Sequence, residues 1–343
     1  MKLIKTEDAV GHVLCHDITQ IIKGVTKDAV FRKGHIVTEA DIPVLLSMGK
    51  EHLYVWEKEA GMLHENEAAE RLREISQGEH MHSSEVKEGK IELIADCDGV
   101  LKVNGEKLRA VNALGGMMIA SRHGNFPVQT GDKIAGMRVI PLVIEEEKME
   151  RAKEVAGMEP IFEIHPYKQK KVGIVTTGSE VYHGRIQDTF TPVIIEKVTE
   201  YGAKVLGHEI CDDDPQLIGG AIHKLLKEGC NMILCTGGMS VDPDDRTPLA
   251  IRNVTGNVVS YGAPVLPGAM FLLAYYGGDL PVLGLPGCVM YAKRTVFDLV
   301  LPRIMTGEIL TKEDLDLLGE GGLCLDCPVC TFPNCGFGKC GSR

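Results

Sequence analysis

The sequence predicts an α/β protein in which a three-layer domain with a parallel sheet follows small α+β modules. Between residues 166 and 310, apolar strand segments alternate with helical segments, as right-handed crossovers between parallel strands require. Before residue 166, short strands and helices follow no such rhythm. We therefore divide the chain into modules at 1–60 and 61–165, an α/β domain at 166–310, and a cysteine-rich tail at 311–343.

In the amino-terminal modules, the sequence predicts a helix over 41–48, a strand over 52–56, and an amphipathic helix over 64–77. A charged helix is predicted over 145–156. The alternating segments 90–96 and 100–103 flank Asp98-Gly99, which predicts a β-hairpin.

In the α/β domain, four buried strands are predicted at 171–177, 204–210, 231–236 and 281–285. The intervening helices are predicted at 192–201, at 216–228, from 247 onward, and at 289–304.

Composition excludes several classes of function. The chain has 343 residues, 44% hydrophobic content and a net charge of −11, with no basic stripe, so we expect no nucleic-acid partner. The start, MKLIKTEDAVG, has no apolar core of a leader peptide, and no apolar run approaches membrane-spanning length. We therefore expect a cytoplasmic protein without a membrane partner.

Four loops at predicted strand ends carry the candidate site, because open α/β sheets bind ligands at that edge. They are loop 1 (TTGSE, 176–180), loop 2 (CDDD, 211–214), loop 3 (TGGMSVDPDD, 236–245) and loop 4 (GLPG, 284–287). Loop 3 has amide, hydroxyl and carboxylate groups at Gly237, Gly238, Ser240, Asp242, Asp244 and Asp245. This combination suits a phosphorylated ligand bound with Mg²⁺. The alternative is a surface loop that caps the next helix.

Taken in order, the motifs TTGSE, GxIxD at 184–188, DD, TGGxS with DxTP, and GLPG resemble the molybdopterin-binding domain family. That family comprises molybdopterin adenylyltransferases and molybdenum insertases, and the resemblance covers about residues 170–307. It implies a three-layer parallel-sheet molybdopterin-binding domain, preceded here by small α+β modules.

The resemblance also implies roles for particular residues. Cofactor contacts would come from Thr177, Gly178, Ser179, Glu180, Asp188, Thr236, Gly237, Gly238, Ser240, Pro286 and Gly287. Catalytic roles would fall to Asp212, Asp213 and Asp245, and Mg²⁺ would be held by Asp242, Asp244 and Asp245.

The leading functional prediction is a Mg²⁺-dependent molybdopterin molybdenumtransferase of the insertase type in molybdenum cofactor biosynthesis, with molybdopterin, free or adenylylated, and molybdate as partners. One alternative is a molybdopterin adenylyltransferase that uses ATP, which the DxTP motif favours. Another is a non-catalytic molybdenum cofactor carrier or sensor, favoured because Cys288-Val289 follows GLPG where the insertase signature has Asn-Pro. These roles also allow association with further copies of this chain, as a homo-oligomer, and with other cofactor-biosynthesis proteins.

Five of the eleven cysteines crowd the last twenty residues: Cys324, Cys327, Cys330, Cys335 and Cys340. Because so short a segment has little core of its own, thiolate ligation of Zn²⁺ or an iron–sulfur cluster is one prediction for it. A disordered or redox-active tail is another, and disulfides are a third. The scattered cysteines are expected to behave as small core residues.

Overall fold

The computed structural model describes residues 2–22, 26–55, 60–240, 242–243 and 245–339. Three residues used in the predictions, Trp56, Asp244 and Cys340, lie outside these ranges. The helices are α1 Asp41–Ser47, α2 Glu65–Ser76, α3 Gly105–Ala113, α4 Glu146–Ala156, α5 Ser179–Tyr182, α6 Phe190–Thr199, α7 Pro215–Lys227, α8 Thr247–Thr255, α9 Val296–Met305 and α10 Lys312–Asp316.

The strands of the first half are β1 Lys2–Lys5, β2 Ile18–Ile22, β3 Thr26–Phe31, β4 His52–Val55, β5 Met62–His64, β6 Met81–Ser83, β7 Lys90–Ala95, β8 Gly99–Val103, β9 Met117–Ser121, β10 Phe126–Val128, β11 Lys133–Val139 and β12 Val143–Glu145. Those of the second half are β13 Phe162–Pro166, β14 Lys171–Thr177, β15 Lys204–Cys211, β16 Met232–Thr236, β17 Val258–Tyr261, β18 Leu272–Tyr276 and β19 Leu280–Leu285.

The chain forms two compact units. Unit 1 comprises Met1–Ile94, Asn104–Arg122 and Lys133–Phe162, and unit 2 comprises Ala95–Val103, His123–Asp132 and Glu163–Arg343. Within unit 1, β6, β7, β11 and β9 form a four-stranded sheet, and small two-stranded sheets pair β1 with β4, β2 with β3, and β12 with β5. The described residues contain no helix with the length and apolar character to cross a membrane.

The predicted hairpin between 90–96 and 100–103 is wrong. Strand β7 pairs with β11, whereas β8 pairs antiparallel with β10 in a three-stranded sheet that also contains β13. Gly99 is not a turn residue but the first residue of β8. Its lack of a side chain admits a neighbouring backbone, since a Cβ atom there would lie 2.4 Å from the carbonyl oxygen of His165.

Unit 2 is built on a six-stranded sheet in the order β15-β14-β16-β19-β18-β17. The four strands from β15 to β19 are parallel, and β18 is antiparallel to both of its neighbours. Strands β17 and β18 were not predicted from the sequence. The β18–β19 connection contains Gly277 and Gly278 at positive φ (64° and 100°), which allows the chain to reverse within a short turn.

Successive strand residues of unit 2 pack on opposite faces of this sheet, as the pleat dictates. On one face, strand residues such as Ile174 and Leu234 pack with helices α6 and α9. On the other, Val175 and Ile233 pack with α7 and α8. The predicted three-layer α/β fold with a parallel sheet is therefore confirmed, with an antiparallel strand added towards one edge.

The single helix predicted over 289–304 is wrong in its first half. Residues Gly287–Met290 form one 3-10 turn, and α9 begins only at Val296. The start is fixed by a capping box in which Thr295 Oγ1 accepts from Phe297 N at 3.2 Å, and Asp298 accepts from Thr295 N at 2.7 Å. Loop 4 therefore enters an irregular segment before the helix.

Candidate functional site

Loops 1 and 2 are tied together at the carboxyl ends of β14 and β15. The backbone N of Ser179 donates to Asp213 Oδ2 at 2.9 Å, and the hydroxyl of Ser179 donates to Asp212 Oδ1. The hydroxyl of Ser179, together with the backbone N of Asp213 at 2.9 Å, holds the pKa of Asp212 below its ordinary value. Asp212 therefore carries a negative charge at neutral pH at this edge of the sheet.

Two buried oxygens near these loops have no hydrogen-bond partner among the residues that the structure describes. They are Oδ1 of Asp213 and Oγ1 of Thr236. Thr236 is the last residue of β16 and is fully buried. Buried polar atoms are costly when unpaired. Both residues lie at the carboxyl-end edge of the sheet, where open α/β sheets bind ligands.

Loop 3 lies directly on loop 1 through two glycines at positive φ. A Cβ atom at Gly237 (φ 85°) would lie 2.1 Å from the carbonyl oxygen of Thr177. A Cβ atom at Gly238 (φ 53°) would lie 2.9 Å from Thr247 Oγ1 and 3.4 Å from Asp213 Oδ1. Only glycine combines this conformation with this approach, so the Gly237-Gly238 pair brings loops 1, 2 and 3 together.

Asp245 closes loop 3 on itself. Its Oδ2 accepts a 2.7 Å hydrogen bond from the backbone N of Ser240, and its own backbone N donates to the carbonyl of Asp242 at 3.0 Å. The hydroxyl of Tyr261 on β17 donates to the carbonyls of Met239 and Ser240 at 3.0 and 3.2 Å. Loop 3 is thus held in a defined shape by hydrogen bonds within the loop and by Tyr261 of the sheet.

The predicted Mg²⁺ site stays a prediction. Asp242 is exposed, and Asp244 lies outside the described ranges. Across the described part of the chain, no three His, Cys, Asp or Glu side chains are close enough together to hold a metal ion. The acidic side chains that the contacts above place at the glycine pair and in loop 3 are Asp213 and Asp245.

A cavity of about 470 Å³, here called the glycine cavity, opens beside loops 3 and 4. Six predicted residues line it: Gly237, Gly238, Ser240, Asp245, Pro286 and Gly287. Six further lining residues were missed in the functional prediction: Phe190, Met239, Ala269, Met270, Cys288 and Tyr291. Four of them, Phe190, Ala269, Met270 and Tyr291, come from segments without a ligand motif, so no sequence signal marked them. Met239 lies within loop 3, and Cys288 stood out only as the residue after GLPG.

The other predicted site residues that the structure describes in the α/β domain are not among those that line this cavity. Thr177 contacts the site through Thr247, with their hydroxyls 2.9 Å apart. Gly178 has φ 136° and carries the chain from β14 into α5, which contains Ser179 and Glu180. Thr236 is the last residue of β16, and Asp212 and Asp213 directly follow β15.

Asp188 organises the start of α6. Its Oδ1 accepts from the backbone N of Phe190 and Thr191 at 2.9 and 3.1 Å, and its Oδ2 accepts from Thr191 Oγ1 at 2.6 Å. Burial opposes ionisation of Asp188, but these hydrogen bonds and His208 hold its pKa below its ordinary value. Asp188 thereby fixes Phe190, which lines the glycine cavity.

The residues that line the cavity fit an anionic ligand. Gly237 and Gly238 line it with backbone alone, Ser240 adds a hydroxyl, and Asp245 adds a carboxylate that could face a cation. Phe190 and Tyr291 supply an apolar wall suited to a ring. Such a cradle at strand ends is typical of phosphate-bearing ligands.

This fold and cavity define a ligand-binding α/β domain with an anion cradle on its carboxyl edge. Residues 173–306 match the family model described as "Probable molybdopterin binding domain", so this part of unit 2 is a molybdopterin-binding domain of that family. A second family model, described as "Domain of unknown function (DUF8806)", matches residues 3–57.

Curated relatives match over part of the chain. A CinA-like protein from Mycobacterium sp. (strain MCS) is 35% identical over 86 residues, which are 25% of this chain and 20% of the relative. A CinA-like protein from Mycobacterium avium (strain 104) is 33% identical over 95 residues, which are 28% of this chain and 22% of the relative. The matches thus span about a fifth of the length of these relatives.

Solved structures of similar proteins also match part of this chain. The molybdopterin biosynthesis enzyme MoaB from Thermus thermophilus is 26% identical with a TM-score of 0.36, and the match covers 41% of this chain and 98% of that chain. The tungsten cofactor synthesizing protein MoaB from Pyrococcus furiosus is 21% identical with a TM-score of 0.31, covering 36% and 84%. Both TM-scores are below 0.5, so the family assignment depends on the family model.

Proposed function

We propose that this chain binds molybdopterin in the glycine cavity and acts in molybdenum cofactor biosynthesis as a Mg²⁺-dependent molybdopterin transferase of the insertase type. The observation that carries the proposal is the approach of loop 3 to loops 1 and 2 at Gly237 and Gly238, beside Asp213 and Asp245. Loop 4 borders the same cavity through Pro286 and Gly287.

In this proposal the backbone amides of Gly237 and Gly238 and the hydroxyl of Ser240 donate to the phosphate of the ligand. Phe190 and Tyr291 pack against its ring system. Asp213 and Asp245 would hold Mg²⁺, whose charge would neutralise the phosphate oxygens. The protein's own contribution is to fix the phosphate and keep both carboxylates beside it, since positioning and charge compensation carry most phosphate chemistry.

The test compares reactions of the purified full chain. Incubation with adenylylated molybdopterin, molybdate and Mg²⁺ should consume the adenylylated ligand only when molybdate is present, and chelation of Mg²⁺ should stop the reaction. Failure to bind either molybdopterin or its adenylylated form would contradict the proposal. Binding is measured by ligand fluorescence or calorimetry before turnover is assayed.

A molybdopterin adenylyltransferase is the second candidate, with ATP as co-substrate. Asp245-Arg-Thr-Pro favours it, because Asp245 lines the cavity and the Thr247 that follows is bonded to loop 1. Transfer of AMP from ATP to molybdopterin would support this candidate over the first.

A non-catalytic carrier or sensor is the third candidate. Cys288 lines the cavity where the insertase signature has Asn, and a thiol does not offer the amide's paired donor and acceptor. Tight binding of molybdopterin without either reaction would support the carrier.

A further inference from the structure

The segment of residues 323–339, here called the cysteine segment, is packed onto unit 2. Leu323 forms a parallel bridge with Leu266, and Cys324 N donates to the carbonyl of Leu266 at 2.8 Å. Phe337 is 4% exposed and belongs to the core that α9 shares with the sheet. The segment contains neither helix nor strand, so this bridge, turns and side-chain contacts hold it in place.

Aromatic and cationic side chains complete this packing. The ring of Phe332 lies 6.0 Å from that of Phe126 and 6.3 Å from that of Phe337, and the guanidinium of Arg294 lies 5.0 Å from the Phe332 ring centroid. Lys293 Nζ donates to the carbonyls of Cys327 and Pro328 at 3.2 and 3.1 Å.

A second cavity, of about 520 Å³, lies between the cysteine segment and the residues around loop 4; we call it the cysteine cavity. Its lining includes five of the ten cysteines that the structure describes, and all ten are free thiols. The five are Cys288, Cys324, Cys327, Cys330 and Cys335. Cys288 and Tyr291 also line the glycine cavity, so one thiol borders both cavities.

The charged residues of the remaining lining include two cations. Lys293 and Arg294 line the cavity, and Arg294 is ion-paired with Asp298 at 3.0 Å. Asp326 is the carboxylate of the lining, so hard cations have little to bind there. Cysteine-only ligation selects zinc and iron–sulfur clusters.

We propose that Cys288 and the cysteines of the cysteine segment together hold a thiophilic metal centre, Zn²⁺ or an iron–sulfur cluster, in the wall between the two cavities. The sequence alone suggested only the tail as a source of ligands. The structure adds Cys288 from the end of loop 4, which links the centre to the molybdopterin-binding domain.

Metal binding requires the thiols to move together and lose their protons. No three of them are within metal-binding reach of one another in the part of the chain that the structure describes. Cys327 and Cys330 are exposed and lie in neither helix nor strand, so these two thiols can move towards a metal while Cys324 N keeps its bond to Leu266. Each thiol that becomes a ligand releases one proton, so binding acidifies an unbuffered solution.

A metal centre at this position would couple the two cavities. Cys288 would be fixed by the metal, and the wall that Cys288 and Tyr291 give to the glycine cavity would be fixed with it. Metal loading and molybdopterin binding would then affect each other equally, as linkage requires. This coupling rests on the proposed function, whereas the metal centre itself does not.

The experiment measures metal alone, so its failure differs from a failure of molybdopterin binding. The full chain is purified without oxygen, analysed for zinc, iron and sulfide, and stripped. It is then titrated either with Zn²⁺ or with Fe³⁺, sulfide and a thiol reductant. We expect about one centre per chain and proton release on Zn²⁺ binding. A colourless zinc protein identifies the first metal, and a visible iron–sulfur chromophore identifies the second.

Two variants separate Cys288 from cysteines elsewhere. Cys288→Ser should weaken metal binding by at least about tenfold, which is the scale on which metal sites respond to loss of a supporting group. Cys97→Ser removes a partly exposed thiol outside the cavity and should bind metal like the original chain. Equal binding by the two variants would overturn the role of Cys288.

A double variant guards against misfolding of Cys288→Ser. Cys327 and Cys330 are exposed, so the Cys327→Ser/Cys330→Ser protein should keep its thermal unfolding transition and lose the metal. Stoichiometric metal in this double variant, or a stripped original chain that takes up neither zinc nor iron with sulfide, would overturn the proposal.

Discussion

The backbone N of Ser179 donates a 2.9 Å hydrogen bond to Oδ2 of Asp213, and this contact leaves Oδ1 of the same carboxylate buried without a partner among the described residues. The contact joins loop 1 to loop 2. It also aims the free oxygen towards Gly238, where a Cβ atom would lie 3.4 Å away. Asp213 is therefore the carboxylate that the fold itself orients towards the glycine pair.

Asp213→Asn tests this orientation. The amide can keep an oxygen for Ser179 N, but its NH₂ group replaces the free oxygen and cannot accept a hydrogen bond or bind a cation. We expect turnover to fall about 100-fold, the effect typical of losing one oriented electrostatic group. Thermal unfolding should shift little. The measurements are kcat/KM and the unfolding midpoint of the same preparation.

Asp214 provides the matched control for Asp213, one residue further on. Its Oδ1 accepts from Gln216 N and Leu217 N at 2.7 and 3.1 Å, which caps α7. Asp214→Ala should cost about 1 kcal/mol of unfolding free energy and leave turnover unchanged. If the Asp213 and Asp214 variants lose turnover equally, Asp213 has no special role.

Gly237→Ala should disrupt the site because the new Cβ would meet the carbonyl of Thr177 at 2.1 Å and the residue would keep a positive φ. We expect a loss of about 1–3 kcal/mol in unfolding free energy and no measurable molybdopterin binding. Gly220→Ala is the control, since this exposed glycine of α7 has open space around it. That variant should gain about 0.5–1 kcal/mol. Denaturant titration measures the unfolding free energy, which should fall in Gly237→Ala and rise in Gly220→Ala.

Phe337→Ala should detach the cysteine segment from the core. Phe337 is 4% exposed and packs near Phe332, so its truncation should cost about 3–5 kcal/mol of unfolding free energy. Val329→Ala, at a side chain that is 76% exposed, should change stability by less than about 0.5 kcal/mol. Limited proteolysis should then cut the Phe337→Ala tail faster than the Val329→Ala tail.

Acid should weaken unit 2 through Glu308. Burial raises the pKa of this carboxyl, but Arg303, at 2.6 and 3.1 Å, and Lys102, at 2.7 Å, outweigh burial and hold the pKa below its usual 4.5. A carboxyl whose pKa is lower in the folded state stabilises the fold above its unfolded pKa. That contribution is lost as the pH falls from about 4.5 through the folded value.

Glu308→Gln should lower the unfolding free energy at pH 7 by about 1.5–3 kcal/mol and flatten its dependence on pH below about 4.5. The exposed Glu313→Gln should leave both unchanged. An unaltered acid limb in Glu308→Gln would show that the ion pair with Arg303 does not contribute. Urea titrations from about pH 3 to pH 7 give the comparison.

The sequence predicts the parallel part of the sheet well because its strands are continuous apolar runs, such as β16, with glycine-rich loops at their ends. The prediction fails at two places, the hairpin at Gly99 and the start of α9. Gly99 suggested a turn but instead admits the carbonyl of His165, and the apolar run after GLPG suggested one helix although Thr295 delays its start. The contact of Gly99 with His165 is long-range and leaves no local pattern, whereas the capping box from Thr295 to Asp298 is a local signal that the prediction missed.

Part of the candidate site could be predicted from the sequence, and part could not. Backbone requirements such as those of Gly237 and Gly238 leave a mark in the sequence, since only glycine meets them. Apolar walls leave none, and Phe190 and Tyr291 look like ordinary core residues until the fold places them at the cavity. Cys288 was noticed only as a departure from a motif.

Unit 2 is built from three separate segments of the chain, which limits the fragments that can fold alone. Strands β8 and β10 come from residues far ahead of the main sheet, yet α9 packs against both, and Phe126 of β10 is part of the same core. A recombinant fragment that starts at residue 163 would lack these strands and would expose apolar surface to solvent. We therefore expect aggregation of such a fragment during expression, and isotope labelling or crystallisation is better planned on the intact polypeptide.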